Sequence, residues 1–138
     1  MIIEGLLTTT TSDGSPHVAP MGPVVDEDLQ TWTLRPFASS TPFRCLQANP
    51  NCVFHVVDDV LPVVQAALGL PVSLNFEPLG VSAGREDLKR TGGNAAGGAW
   101  MISTACHWYH LQVTEWDTSQ PRSLAKTRLI EQRAQRPF

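Results

Sequence analysis

The chain has 138 residues, 42% of them apolar and 17% charged, with a formal net charge of −3 at pH 7. At roughly 150 residues per domain, this length fits a single domain spanning 1–138, and the composition excludes a wholly disordered chain. No apolar run approaches the roughly 18 residues of a membrane-spanning helix, and an acidic chain gives no reason to expect nucleic acid as a partner. Cys45, Cys52 and Cys106 form no close pair, and MIIEGLL carries no basic residue before its apolar stretch. A reducing, cytoplasmic compartment without a signal peptide is therefore expected.

Residues 2–11 are rich in Ile, Leu and Thr and read as a strand. Ser12-Asp13-Gly14-Ser15 follows, and Asp-Gly is a strong hairpin signal. A second strand over 17–25 contains Pro20 and Pro23, which cannot donate to a ladder, so it is an edge or bulged. After the acidic turn Asp26-Glu27-Asp28, Leu29–Leu34 alternates as a third strand. Thr41 before Pro42 predicts a helix start with Thr41 as N-cap, and Asn49-Pro50 ends that helix. Cys52–Val57 reads as a strand buried on both faces. A helix over Val60–Leu68 follows, capped by Asp58 or Asp59, with Gly69 past its end.

The signal is weak over 70–99, where a polar stretch at 85–91 fits one or two helical turns and Gly92–Gly98 reads as a flexible loop. A long, bent strand is predicted over 100–116, and a last one around 124–131. The sequence stops at Phe138 without a terminal signature and is expected to continue in the natural protein. The elements add up to a mainly β protein, a small antiparallel split β-barrel with short connecting helices.

Charge is unevenly placed. Residues 1–34 hold five acids and no Lys or Arg, and the only cations before residue 85 are Arg35 and Arg44. They flank RPFASSTPFR. A helix start leaves N–H groups unpaired and carries positive potential. Ser39, Ser40, Thr41 and Arg44 add donors and charge, the composition of a phosphate site. A plain N-cap, with Arg44 paired to an acid such as Asp58, explains the same residues. In Ala19-Pro20-Met21-Gly22, the prolines free the backbone from regular pairing, and Gly22 admits a flat ligand; a bulged barrel edge is the alternative. His55 lies in the apolar CVFHVV and needs a partner, within the core or on a ligand. Cys106-His107-x-x-His110 has metal-like spacing, but a strand turns His107 away from the other two, so no metal is expected.

Taken in order, DGSPH, APMGP, RPFASSTPFR and VFHVVDD resemble the FMN-binding split-barrel superfamily, which includes flavin reductases and pyridoxamine-phosphate-oxidase-like proteins. The likeness is to a flavoredoxin-like branch whose members run longer. It implies FMN as cofactor, with the phosphate on Ser39, Ser40, Thr41 and Arg44. It places Arg35 and Phe37 near the ribityl chain or phosphate, and Ala19, Pro20, Met21 and Gly22 against the ring through backbone atoms. His55 stands where relatives carry Asn, and Cys45 where Asn is frequent. The resemblance also implies a homodimer with its pocket between subunits, part of 70–99 coming from the partner's side. The expected function is an FMN-dependent oxidoreductase of flavin-reductase type, using a small-molecule electron donor or acceptor. A non-catalytic flavin or pterin carrier, or a structural dimer that has lost the cofactor, are the alternatives.

Overall fold

A computed structural model of the chain describes residues 1–58, 60–70, 74–79 and 98–137. The readings at Asp59, 85–91 and Gly92–Gly97 lie outside the described residues. The strands are β1 (Gly5–Thr10), β2 (Pro16–Met21), β3 (Val24–Val25), β4 (Thr31–Leu34), β5 (Asn51–Val56), β6 (Phe76–Leu79), β7 (Ala99–Ile102), β8 (His107–Asp117) and β9 (Leu124–Ala134); the helices are α1 (Thr41–Ala48) and α2 (Val60–Ala67). No described helix is long and apolar enough to cross a membrane.

The first two strands form a hairpin with Gly5 opposite Met21 and Thr10 opposite Pro16. At the turn, Gly14 takes φ 87°, a conformation that costs glycine little. The main sheet has the order β2-β1-β5-β8-β9-β4-β3, and every pairing is antiparallel. It curls until its ends meet. Ile2 bridges Val24, continuing the register of Gly5 with Met21, and β3 passes the sheet on to β4.

The chain from 16 to 25 thus serves two neighbours in turn. Its second half, β3, joins the ring. Its first half, β2, pairs with β1 alone, and its other edge is unpaired among the described residues. This is the split in the barrel. The single strand expected over 17–25 is interrupted at Gly22-Pro23, the point where the neighbour changes.

Inside the barrel, Leu7, Trp32, Leu34, Phe54 and Leu111 are fully buried. The Trp32 ring meets Phe54 at 5.4 Å and Tyr109 at 4.5 Å between centroids. Burying such side chains contributes roughly 1.5–3 kcal/mol each for the aliphatic and phenyl groups. Alternate residues point the other way, so Leu6 on β1 faces a second core formed with Ile102 and Ala105, against which Val63 and Ala66 of α2 pack. β5 lies between β1 and β8 and is buried along its centre, as its continuous apolar run predicts.

Three expectations are corrected. The strand predicted over 100–116 is two strands, because a turn at Ser103–Cys106, closed by the Ala105 N–H on the Ile102 carbonyl, sends β7 to pair with β6 and β8 with β5 and β9. The N-cap of α1 is Ser40, not Thr41: Ser40 is extended and its Oγ accepts from the Phe43 N–H, while Thr41 is already helical. Asp58 does not pair with Arg44. It is held bidentately by Arg136 at 2.5 and 2.7 Å, which ties the chain after β9 to the end of β5 and holds the Asp58 carboxyl below its ordinary range.

Candidate functional site

The segment after β4 cannot continue as strand, because Pro36 has no N–H. It is fastened instead to the segment before β9. Ser123 donates through N and Oγ to the Pro36 carbonyl at 3.0 and 2.5 Å, Ala38 N–H reaches the Pro121 carbonyl at 3.0 Å, and Phe37 bridges Arg122. This fastening carries Arg35–Ser40 across to the end of β2, where the barrel is split.

Between them lies an open cleft of about 370 Å³, lined by Glu4, Ala19–Gly22, Arg35–Phe37, Ser40, Pro42 and Arg122. Small-molecule sites commonly span about 300–1,000 Å³. Seven residues picked from the sequence therefore meet in one place: Ala19, Pro20, Met21, Gly22, Arg35, Phe37 and Ser40. The cleft floor is mostly apolar. Met21 and Pro36 are buried, and Phe37 is 53% exposed at the rim.

Arg35 crosses the cleft. Its Nη2 donates to the Gly22 carbonyl at 3.1 Å, while its Nε is buried without a partner among the described residues. A buried guanidinium N–H left unpaired is costly. Gly22 has a spatial role: a Cβ there would lie 2.8 Å from Glu4 Oε1.

The start of α1 flanks the cleft. Ser40 Oγ donates to the Phe37 carbonyl at 2.7 Å as well as capping Phe43. Arg44 folds back over the cap, with Nη1 on the Ser39 carbonyl at 3.0 Å and Nη2 on Thr41 Oγ1 at 3.1 Å. A hydroxyl caps the helix here, on Ser40, and Arg44 is bonded to the Ser39 carbonyl and Thr41 Oγ1 and not to Asp58. Ser39, Thr41 and Arg44 stand beside the cleft and do not line it. Arg44's charge reaches His17, whose pKa lies below its ordinary value through burial first and that charge second.

His55 is not brought to the cleft. It faces the second core, fully buried. Its Nε2 accepts from the Ile102 N–H at 2.8 Å, so Nδ1 carries the proton and donates to the Leu6 carbonyl at 3.2 Å. Burial lowers its pKa to about 4. It joins β7 to the barrel as a neutral polar core residue. Cys106 is buried, His107 stacks on Tyr109 and His110 contacts Asn51 Oδ1, so the metal-like spacing is dispersed.

Sequence reasoning missed Glu4 and Arg122. Glu4 precedes β1 and reaches the cleft only because the Ile2–Val24 bridge brings the N-terminus beside Gly22. Arg122 is 85 positions from Phe37, and no local pattern announces their bridge.

Several solved structures share this fold. An FMN-bound protein of Methanosarcina mazei superposes with a TM-score of 0.74 at 16% identity, over 96% of this chain and 60% of that one. The flavin reductase HpaC, complexed with NADP+, gives 0.75 at 10% identity, over 99% and 81%. The flavin reductase of the Pseudomonas putida S12 styrene monooxygenase gives 0.69 at 13%, over 97% and 80%. This chain thus spans about 60% of the length of the Methanosarcina protein. No curated protein matches. The family described as protein of unknown function (DUF447), N-terminal domain, matches residues 3–136. With nearly its whole length matched, the chain belongs to the DUF447 N-terminal-domain family, on a flavin-reductase-like split barrel.

Proposed function

We propose that this protein binds FMN in the cleft between β2 and the Arg35–Pro42 segment, and acts as an oxidoreductase of flavin-reductase type. The observation that carries the reading is the cleft itself: an apolar, proline-broken strand end opposite a guanidinium whose buried Nε has no acceptor among the described residues. The residues present fit a phosphorylated flavin. The Ala19–Gly22 backbone offers a flat wall with no side chain at Gly22, and Ser40, beside Ser39, Thr41 and Arg44, offers hydroxyl and cationic groups at the other end. A bound flavin would itself supply the electron-transfer chemistry. The chain's residues would bind and orient it, with Arg35 favouring negative charge near Gly22.

The like-folded Methanosarcina protein is FMN-bound and HpaC is a flavin reductase, which supports the reading. The outer edge of β2 is unpaired among the described residues, and this supports a homodimer in which a second copy covers it. Purified protein saturated with FMN should oxidise NADH or NADPH faster than the same concentration of free FMN. FMN bound tightly without such a rate would favour a carrier. Failure to bind FMN or riboflavin at micromolar concentration would sink the reading.

A further inference from the structure

Within that flavin-binding reading, we propose that Arg122 is a phosphate-binding residue that makes the cleft select a phosphorylated flavin over riboflavin. Three charged side chains line the cleft: Glu4, Arg35 and Arg122. Glu4 and Arg35 share the Gly22 end. Glu4 Oε1 sits where a Gly22 Cβ would be crowded, and Arg35 Nη2 is bonded to the Gly22 carbonyl. Their charges offset one another there. Arg122 instead stands over the Phe37 ring, and the Phe37 carbonyl takes the Ser40 hydroxyl that caps α1. The three side chains together leave the cleft one net positive charge.

The Arg122 side chain is also set in position before any ligand arrives. Its Nε donates to the Arg35 carbonyl at 3.0 Å, and its guanidinium lies 5.1 Å over the Phe37 ring. Its backbone is pinned by the Phe37 bridge and its neighbour Ser123 by the Pro36 carbonyl. Both Nη groups lack protein partners among the described residues. A planar guanidinium with one edge fixed and the other free suits bidentate contact with a phosphate, and little side-chain entropy is lost on binding. The contact with the Phe37 ring restricts this exposed side chain further. A phosphate monoester brings nearly two negative charges near neutral pH, and an unphosphorylated flavin brings none.

The test is a pair of titrations, FMN and riboflavin, on wild type, Arg122→Ala and Arg122→Lys. One charge-assisted contact of this kind corresponds to roughly a ten- to hundredfold change in affinity. Arg122→Ala should weaken FMN by that factor and leave riboflavin within about twofold, while Arg122→Lys, keeping the charge, falls between. Equal losses for both flavins in Arg122→Ala would mean that Arg122 only braces the Phe37 segment, and would overturn the proposal. Inorganic phosphate, added in a thermal-shift assay without flavin, separates this proposal from the reading beneath it. Stabilisation of wild type but not of Arg122→Ala supports the anion site even if no flavin binds. An equal response of the two proteins overturns it.

Discussion

The Arg35 guanidinium donates to the Gly22 carbonyl at 3.1 Å and so joins the end of β4 to the break between β2 and β3. The contact spans the mouth of the split, where the barrel wall is incomplete. Replacing Arg35 by Met keeps the length and removes the charge. Flavin affinity should fall at least tenfold, since a charge-assisted contact is lost, and folding stability should fall by about 1 kcal/mol. Titration and urea unfolding read the two effects separately.

Two glycines near this site should respond differently to a methyl group. A Cβ on Gly22 meets only the carboxylate tip of Glu4, a flexible end that can swing aside. Gly22→Ala should cost less than about 1 kcal/mol of stability yet impair flavin binding by pushing Glu4 into the cleft. On Gly5 the same atom would lie 2.2 Å from the His55 carbonyl oxygen and 2.7 Å from Phe54 Cζ, both in the core. Gly5→Ala should destabilise by more than about 3 kcal/mol or prevent folding. Urea unfolding midpoints of the two variants check the contrast.

His55 makes stability depend on pH. Its folded pKa is about 4, lowered first by burial, against an ordinary 6.5. The unfolded chain takes up a proton in this interval that the folded chain refuses. Its contribution is thus fully present above pH 6.5 and is lost as pH falls toward 4, by up to about 3 kcal/mol. Unfolding midpoints at pH 7.5 and 4.5 should show the loss, and His55→Gln should flatten the dependence on that interval.

Arg44 is bonded to the Ser39 carbonyl and to Thr41 Oγ1, beside the place proposed for the phosphate. Arg44→Ala should loosen FMN several-fold with little effect on riboflavin, because riboflavin has no phosphate to place at the helix start. Equal effects on the two would show that Arg44 serves the fold alone.

All three thiols are buried, and burial pushes the Cys52 pKa up to about 12. The native protein should therefore react slowly with a thiol reagent and release all three only on unfolding. Fast stoichiometric labelling before denaturation would contradict the packing described.

Much of the front half was legible because its signals are local. Asp13-Gly14 sets the hairpin turn, Pro42 marks the first helical turn, and the CVFHVV run announces a strand covered on both faces. The prolines at 20 and 23 likewise marked an irregular edge, and the break lies between them. What the sequence hid was long-range. β6 contains Pro78 and, among the described residues, pairs only with β7, so neither strand carries a clear alternating signal. His55 could not be assigned from its neighbours, because its two acceptor and donor partners, Ile102 and Leu6, lie on other strands. The cations around the split were half visible: Arg35 and Arg44 stood out by isolation, whereas Arg122 sits in a basic-rich part of the chain and gains its place only through the Phe37 bridge.

The central claim is that the cleft between Ala19–Gly22 and Arg35–Pro42 holds FMN, and a crystal structure of the protein grown with FMN tests it most directly. The account predicts the isoalloxazine ring against the Ala19–Gly22 backbone and the phosphate at the Ser40 end. A flavin bound elsewhere on the barrel, or a cleft filled by protein side chains in the presence of excess FMN, would contradict it.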